Sequence, residues 1–242
     1  MDGSAIVTGL LLAMTLPHTV PYWQAALGSV FAIVLVKCLC GGLGQNIFNP
    51  ALAARAFLLL VYPVGLTRFV GVDGVSAATP LHHMVMPALP EESVLDMFLG
   101  NCPGTIGEIS ALALLIGGAY LVYRKVISIR IPAAYIGTVA VLTLLHFKTE
   151  APVQWMLYQV FSGGLMLGAI FMATDYATSP ATPVGQIIYG IGCGILTVIF
   201  RYFGLFPEGV TYAILILNAF VWFIDRHTAM RRFGTGKGVA AK

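Results

Sequence analysis

Long apolar runs separated by short polar stretches dominate the chain. They do not alternate apolar and polar residues in segments of about ten, as the strands of a membrane β-barrel do. Their continuity suits membrane helices, because about 20 apolar residues cross the hydrocarbon core of a bilayer. The pattern predicts eight such segments. They cover residues 5–16 (short), 22–39, 48–62, 106–123, 131–147, 153–174, 184–203 and 208–225.

Polar residues at the segment boundaries support this division. Asn49-Pro50 and Thr182-Pro183 each combine a preferred N-cap residue with a proline at the first helical position. The stretch 64–105 is the one long polar loop, and residues 95–99 within it are predicted as a short helix along the membrane surface.

Composition excludes an ordinary soluble domain. Hydrophobic residues make up 58% of the chain and charged residues 10%, whereas a soluble domain has about 25% charged residues. In lipid, only helices and closed barrels satisfy the backbone, so the predicted fold class is an all-α polytopic membrane protein. The four cysteines are scattered and are interpreted as apolar filler. No residue spacing indicates a metal, iron–sulfur or haem site.

Basic residues predict how the chain is oriented. Nine of them fall at one set of segment ends and three (Arg68, Lys148 and Arg201) at the other. The set of nine is Lys37, Arg124, Lys125, Arg130, Arg226, Arg231, Arg232, Lys237 and Lys242. The positive-inside rule puts this set in the cytoplasm, so the loop 64–105 is predicted to face outside, together with its acids and Glu108.

An internal repeat is the next prediction. Gly9-Leu10-Leu11-Leu12, Lys37 and Ala56-Phe57 recur in order as Gly164-Leu165-Met166-Leu167, Arg201 and Ala219-Phe220. The matched helices run in opposite directions, as in the inverted repeats of transporters; the alternative is the general likeness of apolar helices. The predicted units are three helices of a first five-helix repeat (1–63), the external loop (64–105), a second five-helix repeat (106–225) and a basic cytoplasmic tail (226–242).

The loop carries the sharpest motif, Asp73-Gly74-Val75-Ser76-Ala77-Ala78-Thr79-Pro80. Asp-Gly favours a turn, small alanines let a bulky group approach the backbone, and Pro80 biases Thr79 toward an extended conformation. From the residues alone, an ordinary polar loop remains the alternative.

The motif resembles the flavinylation sequence Asp-x-x-Ser/Thr-Gly/Ala-Ala-Thr, in which FMN is joined through its phosphate to the last threonine. Asp73, Ser76, Ala78 and Thr79 match it, and Ala77 stands where glycine is commoner. Two further stretches resemble the same family, the D subunits of Rnf complexes. They are Gly41-Gly42-Leu43-Gly44-Gln45-Asn46-Ile47-Phe48-Asn49-Pro50-Ala51 and Phe171-Met172-Ala173-Thr174-Asp175-Tyr176-Ala177-Thr178-Ser179-Pro180.

This resemblance implies a flavin-bearing electron-relay subunit of a ferredoxin:NAD oxidoreductase that pumps Na⁺ or H⁺, with no complete reaction of its own. It implies FMN on Thr79, a noncovalent riboflavin among the helices, and a flavin transferase for maturation. The implied partners are the other Rnf proteins (A, B, C, E and G), with no nucleic acid. The implied location is a bacterial or archaeal cytoplasmic membrane, with the flavin loop outside.

Several other residues are candidates for chemistry. Asn46 and Asn49, after the glycines of 41–44, and Arg55 within a span are predicted to contact a flavin or an anion. The alternatives are a structural turn for the glycine segment and, for Arg55, pairing with a helix C-terminus or a neighbouring subunit. Asp175 and Thr178 are predicted to line an ion pathway, against a plain helix-end turn. His82-His83 could pack on the flavin or shuttle a proton, and a solvated loop is the alternative.

Three alternative functions stay open at this point. The first is the B subunit of the sodium-translocating NADH:quinone reductase, which shares the motifs. The second is a solute channel similar to urea or ammonium channels, which would need no flavin. The third is an assembly scaffold whose motif is inert.

Overall fold

The computed structural model describes residues 3–39, 41–42, 44–67, 69–70, 76–77, 93–204 and 209–229. Helices are the main regular structure of these residues, and Phe69–Val70 (β1) pairs antiparallel with Ser76–Ala77 (β2) over two residues. The helices are α1 (Ser4–Met14), α2 (Tyr22–Cys38), α3 (Pro50–Val61), α4 (Pro63–Leu66), α5 (Val94–Leu99), α6 (Ala111–Tyr123), α7 (Arg130–Leu145), α8 (Pro152–Phe161), α9 (Leu165–Met172), α10 (Pro183–Phe203) and α11 (Gly209–Thr228).

The helical, apolar character of the predicted fold is confirmed. Within the described residues, α10 and α11 are long and apolar enough to cross a membrane, and the bent pair α8–α9 forms a third candidate. Five shorter apolar helices accompany them, namely α1, α2, α3, α6 and α7. The number of eight spans stays a prediction.

Side-chain caps fix several helix starts where the sequence predicts them. The Asn49 side chain accepts hydrogen bonds from the N–H groups of Ala51 and Leu52 at the start of α3. Thr182 accepts one from Gly185 N–H at the start of α10. Both satisfy amide groups that a helix end leaves without intrahelical partners, and both caps are confirmed.

The predicted start of the fourth segment, at residue 106, is wrong. Helix α6 begins at Ala111, where Ser110 accepts a hydrogen bond from Ala113 N–H. The preceding turn lies against the end of α1, since Gly107 N–H donates to the Met14 carbonyl at 2.7 Å. A Cβ on Gly107 would come within 2.7 Å of Met14 Cβ, so only glycine permits this approach.

The segment predicted over 153–174 is not one continuous helix, although α8 and α9 together could form one span. The chain bends by 61° between α8 and α9, at Ser162-Gly163-Gly164. Gly163 takes φ +64°, a left-handed conformation that glycine adopts without steric cost. The apolar pattern continues across the break, and that is why hydropathy alone predicts one helix.

Glycines allow α7 and α10 to pack at very short range. A Cβ on Gly190 would lie 2.8 Å from Ala134 Cβ, and one on Gly194 would lie 2.7 Å from Thr138 Cβ. Small residues at helix contacts let backbones approach closely, as is usual inside membranes. The largest core cluster surrounds this contact and contains Tyr135, which is fully buried.

The predicted helix at 95–99 is confirmed as α5. A capping box starts it: Asp96 N–H donates to Ser93 Oγ, and Ser93 N–H donates to the Asp96 carboxylate. Hydrogen bonds from Ser93 hold the pKa of the Asp96 carboxyl below its usual value. Leu95 and Leu99 are exposed on this helix while Met97 is buried. A position along the membrane surface stays a prediction.

Some contacts fit the predicted repeat. Gly28 on α2 lies against Leu58 of α3, and Gly192 on α10 lies against Leu217 of α11. Of the matched cations, Lys37 and Arg201 are both buried. The division into two inverted halves nevertheless stays a prediction.

Candidate functional site

A groove of about 590 Å³ opens at one end of the helices, and Lys37 and Asp175 are among the residues that line it. Small-molecule sites in proteins measure roughly 300–1,000 Å³. The wall is mainly apolar, with Phe171 among its aromatic side chains. The polar residues that line it are Ser4, Thr8, Lys37, Asn46, Asn49, Thr174, Asp175 and Tyr176. Two of the predicted cofactor residues and one predicted ion-pathway residue therefore meet in one place.

Two π-helical segments border this groove. The second half of α2, Phe31–Cys38, carries Lys37, and the second part of α9, Gly168–Met172, carries Phe171. The Lys37 ammonium donates to Ser4 Oγ across the groove wall. Such π-segments are frequent at functional sites.

The Asp175 carboxylate lies in the turn that follows α9. It accepts hydrogen bonds from Ala177 N–H at 3.2 Å and from the Thr178 hydroxyl at 3.3 Å. Burial raises the pKa of the Asp175 carboxyl above its usual value, while these hydrogen bonds and the charge of Lys37 act in the opposite direction. The two predicted ion-pathway residues, Asp175 and Thr178, are therefore in direct contact at the groove.

The two asparagines differ in what their side chains contact. Asn46 donates to the Phe48 carbonyl at 3.1 Å within the turn before α3. Asn49 caps α3 through its oxygen, and its nitrogen donates to the Met172 carbonyl at 3.2 Å. Asn49 therefore ties the start of α3 to the end of α9, and its amide is committed to those contacts.

The glycine turn before α3 has the backbone that the sequence predicts. Gly41, Gly42 and Gly44 take φ values of +109°, +95° and +80°. Residues other than glycine rarely adopt such positive φ angles. The structural interpretation of this segment is thus supported by geometry. The predicted contact of its helix N-terminus with a flavin or an anion stays a prediction.

Arg55 lies away from the groove. Its Nη1 is 3.3 Å from Glu108 Oε1, and the two side chains are 6% and 4% exposed. A small cavity of about 10 Å³ adjoins them, lined also by Thr15 and Thr211, and this is about the space that one water needs. The partner observed for Arg55 is thus a carboxylate of the same chain.

The flavinylation motif is described only at its centre. Ser76 pairs with Val70, and Ala77 with Phe69, in the two-residue ladder. Asp73, Ala78, Thr79 and the histidines at 82 and 83 lie outside the described residues. Attachment at Thr79 accordingly stays a prediction.

Three participants in these sites are not recognised from the sequence. There, Glu108 is only one of the external acids, Lys37 only a marker of topology and of the repeat, and Gly164 only a marker of the repeat. Glu108 directly follows Gly107 in a turn that meets α1, so the glycine-rich stretch Gly104–Gly107 is the one local signal. Lys37 offers the same clue as Arg55, a cation among apolar residues.

Comparison with known proteins decides the family. A family model described as "NQR2, RnfD, RnfE family" matches residues 1–234. The chain belongs to this family. The sequence-based resemblance to the D subunits of Rnf complexes is thereby confirmed.

Members of the NQR2, RnfD, RnfE family with high similarity are named as subunits of ion-translocating oxidoreductase complexes. The D subunit of the Na⁺-translocating ferredoxin:NAD⁺ oxidoreductase complex of Acetobacterium woodii is 51% identical over 98% of this chain and 74% of its own length. The D subunit of the proton-translocating complex of Clostridium ljungdahlii is 44% identical over 97% of this chain and 75% of its own length. The D subunit of an ion-translocating oxidoreductase complex from Stutzerimonas stutzeri is 39% identical over 97% of this chain and 76% of its own length.

These family members are subunits of an oxidoreductase that translocates ions, as the sequence predicts. One is named for Na⁺ and another for protons, so membership alone does not identify the ion. The relatives carry redox names, whereas the alternatives of a solute channel or an inert scaffold draw no support from them.

Proposed function

We propose that the chain is the membrane subunit that relays electrons through covalently bound FMN in an ion-translocating ferredoxin:NAD oxidoreductase. One observation carries the proposal: Asp73, Ser76, Ala78 and Thr79 match the flavinylation motif in a chain of the NQR2, RnfD, RnfE family. The phosphate of FMN would be esterified to the Thr79 hydroxyl by a flavin transferase. When bound, the flavin supplies one-electron transfer, and the covalent link keeps it at a site open to water.

Expression with and without a flavin transferase tests this function. We expect the denatured chain to fluoresce under blue light in a gel only when the transferase is present. A covalently attached flavin stays on the unfolded chain, whereas a noncovalently bound flavin is lost when the chain unfolds. Digestion and mass analysis should find the flavin on the peptide that contains Thr79. A dark band after expression with an active transferase would contradict the proposal. A known substrate of the same transferase serves as the positive control.

We further propose that the groove binds a second, noncovalent flavin of the riboflavin type. Its volume suits a tricyclic ring with a short polyol chain. Phe171 offers an aromatic face, and Lys37, Asn46 and Thr174 offer polar groups for the ring edge or the hydroxyls. An apolar pocket with a few converging polar groups is the usual form of a cofactor site.

Filling the groove with a bulky side chain should weaken riboflavin binding. Ala177 lines the groove, so we expect Ala177→Trp to raise the riboflavin Kd at least about tenfold, a loss of about 1.4 kcal/mol of binding free energy. Equilibrium dialysis of the purified chain measures this. Ile191→Trp is the matched control, because Ile191 is 40% exposed on α10 and does not line the groove. Equal Kd values for the two variants would place the flavin elsewhere.

Ion passage is proposed at the same end of the molecule. The Asp175 carboxylate and the Thr178 hydroxyl are in contact there, and oxygen ligands of this kind suit Na⁺ as well as a proton. The remaining Rnf subunits would supply ferredoxin oxidation and NAD reduction. The inside and outside assignments, including an external position for Thr79, belong to this proposal.

A further inference from the structure

The Arg55–Glu108 ion pair connects segments far apart in sequence. Arg55 belongs to α3, and Glu108 lies in the turn before α6. Both side chains are almost completely buried among apolar helices. A buried charge is costly unless an opposite charge and hydrogen bonds compensate it. Each of these two buried charges is therefore compensated by the other.

The Glu108 carboxylate also lies against the break between α8 and α9. A Cβ on Gly164 would come within 2.7 Å of Glu108 Oε1, and Gly164 is the residue directly before α9. The first N–H groups of a helix lack intrahelical partners and carry partial positive charge, which a nearby carboxylate stabilises. Glu108 thus stands next to the amide end of α9.

The opposite side of the same break has a cation. Arg201 on α10 donates hydrogen bonds to the carbonyls of Gln159 and Ser162, at the end of α8. The carbonyl end of α8 therefore meets a guanidinium, and the amide end of α9 meets a carboxylate. This sign pattern is the one that helix dipoles favour at each end.

Helix α9 leads from Glu108 to the groove. Its residue Phe171 lines the groove, as do Thr174 and Asp175 immediately after it. Its last carbonyl, at Met172, accepts the hydrogen bond from Asn49. Since α9 spans only Leu165–Met172, a shift at Gly164 would be transmitted to the groove wall.

We propose that Arg55 and Glu108 form a charge clamp that fixes the amide end of α9 and thereby positions the α9 wall of the groove. The two residues act as positioning residues, through α9 rather than by contact with a ligand. The consequence for flavin binding rests on the proposed function, whereas the fixing of α9 does not.

Amide hydrogen exchange of the full chain, measured without added flavin, tests the clamp. We expect Glu108→Gln to accelerate exchange in residues 165–172 at least about tenfold, while α10 keeps its protection, because local opening precedes global unfolding. Arg55→Lys keeps the positive charge and should exchange like the wild type. Acceleration spread evenly over all helices, or none in α9, would overturn the proposal.

A double variant separates a positioning role from mere stability. Replacing both charges, as in Arg55→Leu with Glu108→Leu, removes the desolvation cost, and such apolar replacements often restore stability. We expect the melting temperature to return toward the wild-type value while α9 still exchanges rapidly. Recovery of both the melting temperature and α9 protection would show that the pair only fills space, and the clamp would be rejected.

Glycine variants keep the test decisive if the charge variants do not fold. Gly164→Ala places a methyl group against the Glu108 carboxylate, so it should accelerate α9 exchange. Gly137→Ala on α7 meets nothing within 4 Å and should leave α9 unchanged. Riboflavin binding by the same proteins is measured in a separate titration. If the wild type binds no riboflavin, the groove assignment fails while the exchange result still decides the clamp.

Discussion

Replacing Thr79 with valine is expected to abolish covalent flavin attachment completely. Valine keeps the β-branched shape of threonine but lacks the hydroxyl oxygen that the phosphate ester requires. The adjacent residues Ala77 and Ala78 have no side-chain nucleophile that could take its place. In-gel fluorescence of the denatured chain, after expression with a flavin transferase, measures the effect as presence or absence of the band.

Thr67→Val is the matched control for this prediction. Thr67 is an exposed threonine whose hydroxyl donates to the Pro63 carbonyl at 2.9 Å, and it lies outside the motif. The Thr67→Val chain should fluoresce like the wild type. A fluorescent Thr79→Val chain would show that the flavin is attached at another residue.

Replacing Arg201 with leucine is expected to destabilise the protein by about 3–5 kcal/mol, because it removes several buried hydrogen bonds from a charged donor, each worth about 1.5–3 kcal/mol. Arg201 is 6% exposed, and it donates at 3.1 Å to both Gln159 Oε1 and the Ser162 carbonyl. Leucine fills part of the volume but leaves buried carbonyls without donors, at about 1–3 kcal/mol each. Thermal unfolding of the purified chain should show a melting temperature lower by roughly 6–20 °C.

Two further variants test whether the loss of stability in Arg201→Leu comes from the buried contacts of Arg201. Arg201→Lys keeps the charge but not the fork of donors, so its melting temperature should fall between those of the wild type and Arg201→Leu. Arg130→Leu removes an exposed arginine with one long contact, 3.5 Å to Gln186 Oε1. It should change stability by less than about 0.5 kcal/mol. Equal losses from Arg201→Leu and Arg130→Leu would contradict the assigned role.

Local signals predict the helix starts at Asn49 and Thr182 well, because the physics there is local. Both residues satisfy amide groups only two or three positions away, so adjacent residue types suffice to recognise the caps. The break at Ser162–Gly164 escapes prediction for the opposite reason. The flanking residues are apolar on both sides, and the carbonyls freed by the bend are satisfied by Arg201, about forty residues later in the chain.

The site shows the same division between local and distant information. The motif ending at Thr79 and the Asp175–Thr178 contact can be read from neighbouring positions. The partner of Arg55 cannot be predicted in this way. Glu108 is 53 positions away from Arg55, and the residues around Glu108 do not show that it pairs with a cation. The groove likewise depends on the end of α9 meeting the start of α3, a contact that only tertiary packing creates.

The two-residue pairing of β1 with β2 bears on how far the proposed flavin on Thr79 could move. Ala77 is held opposite Phe69, and Thr79 follows it by two positions. A fully extended chain covers at most about 3.6 Å per residue, so an attachment point at Thr79 would lie within about 7 Å of the Ala77 Cα. Movement of that attachment point alone would then not carry the proposed flavin between distant partners. The proposal therefore implies that the electron donor and acceptor approach the flavin, and that the timing of their approach controls electron flow.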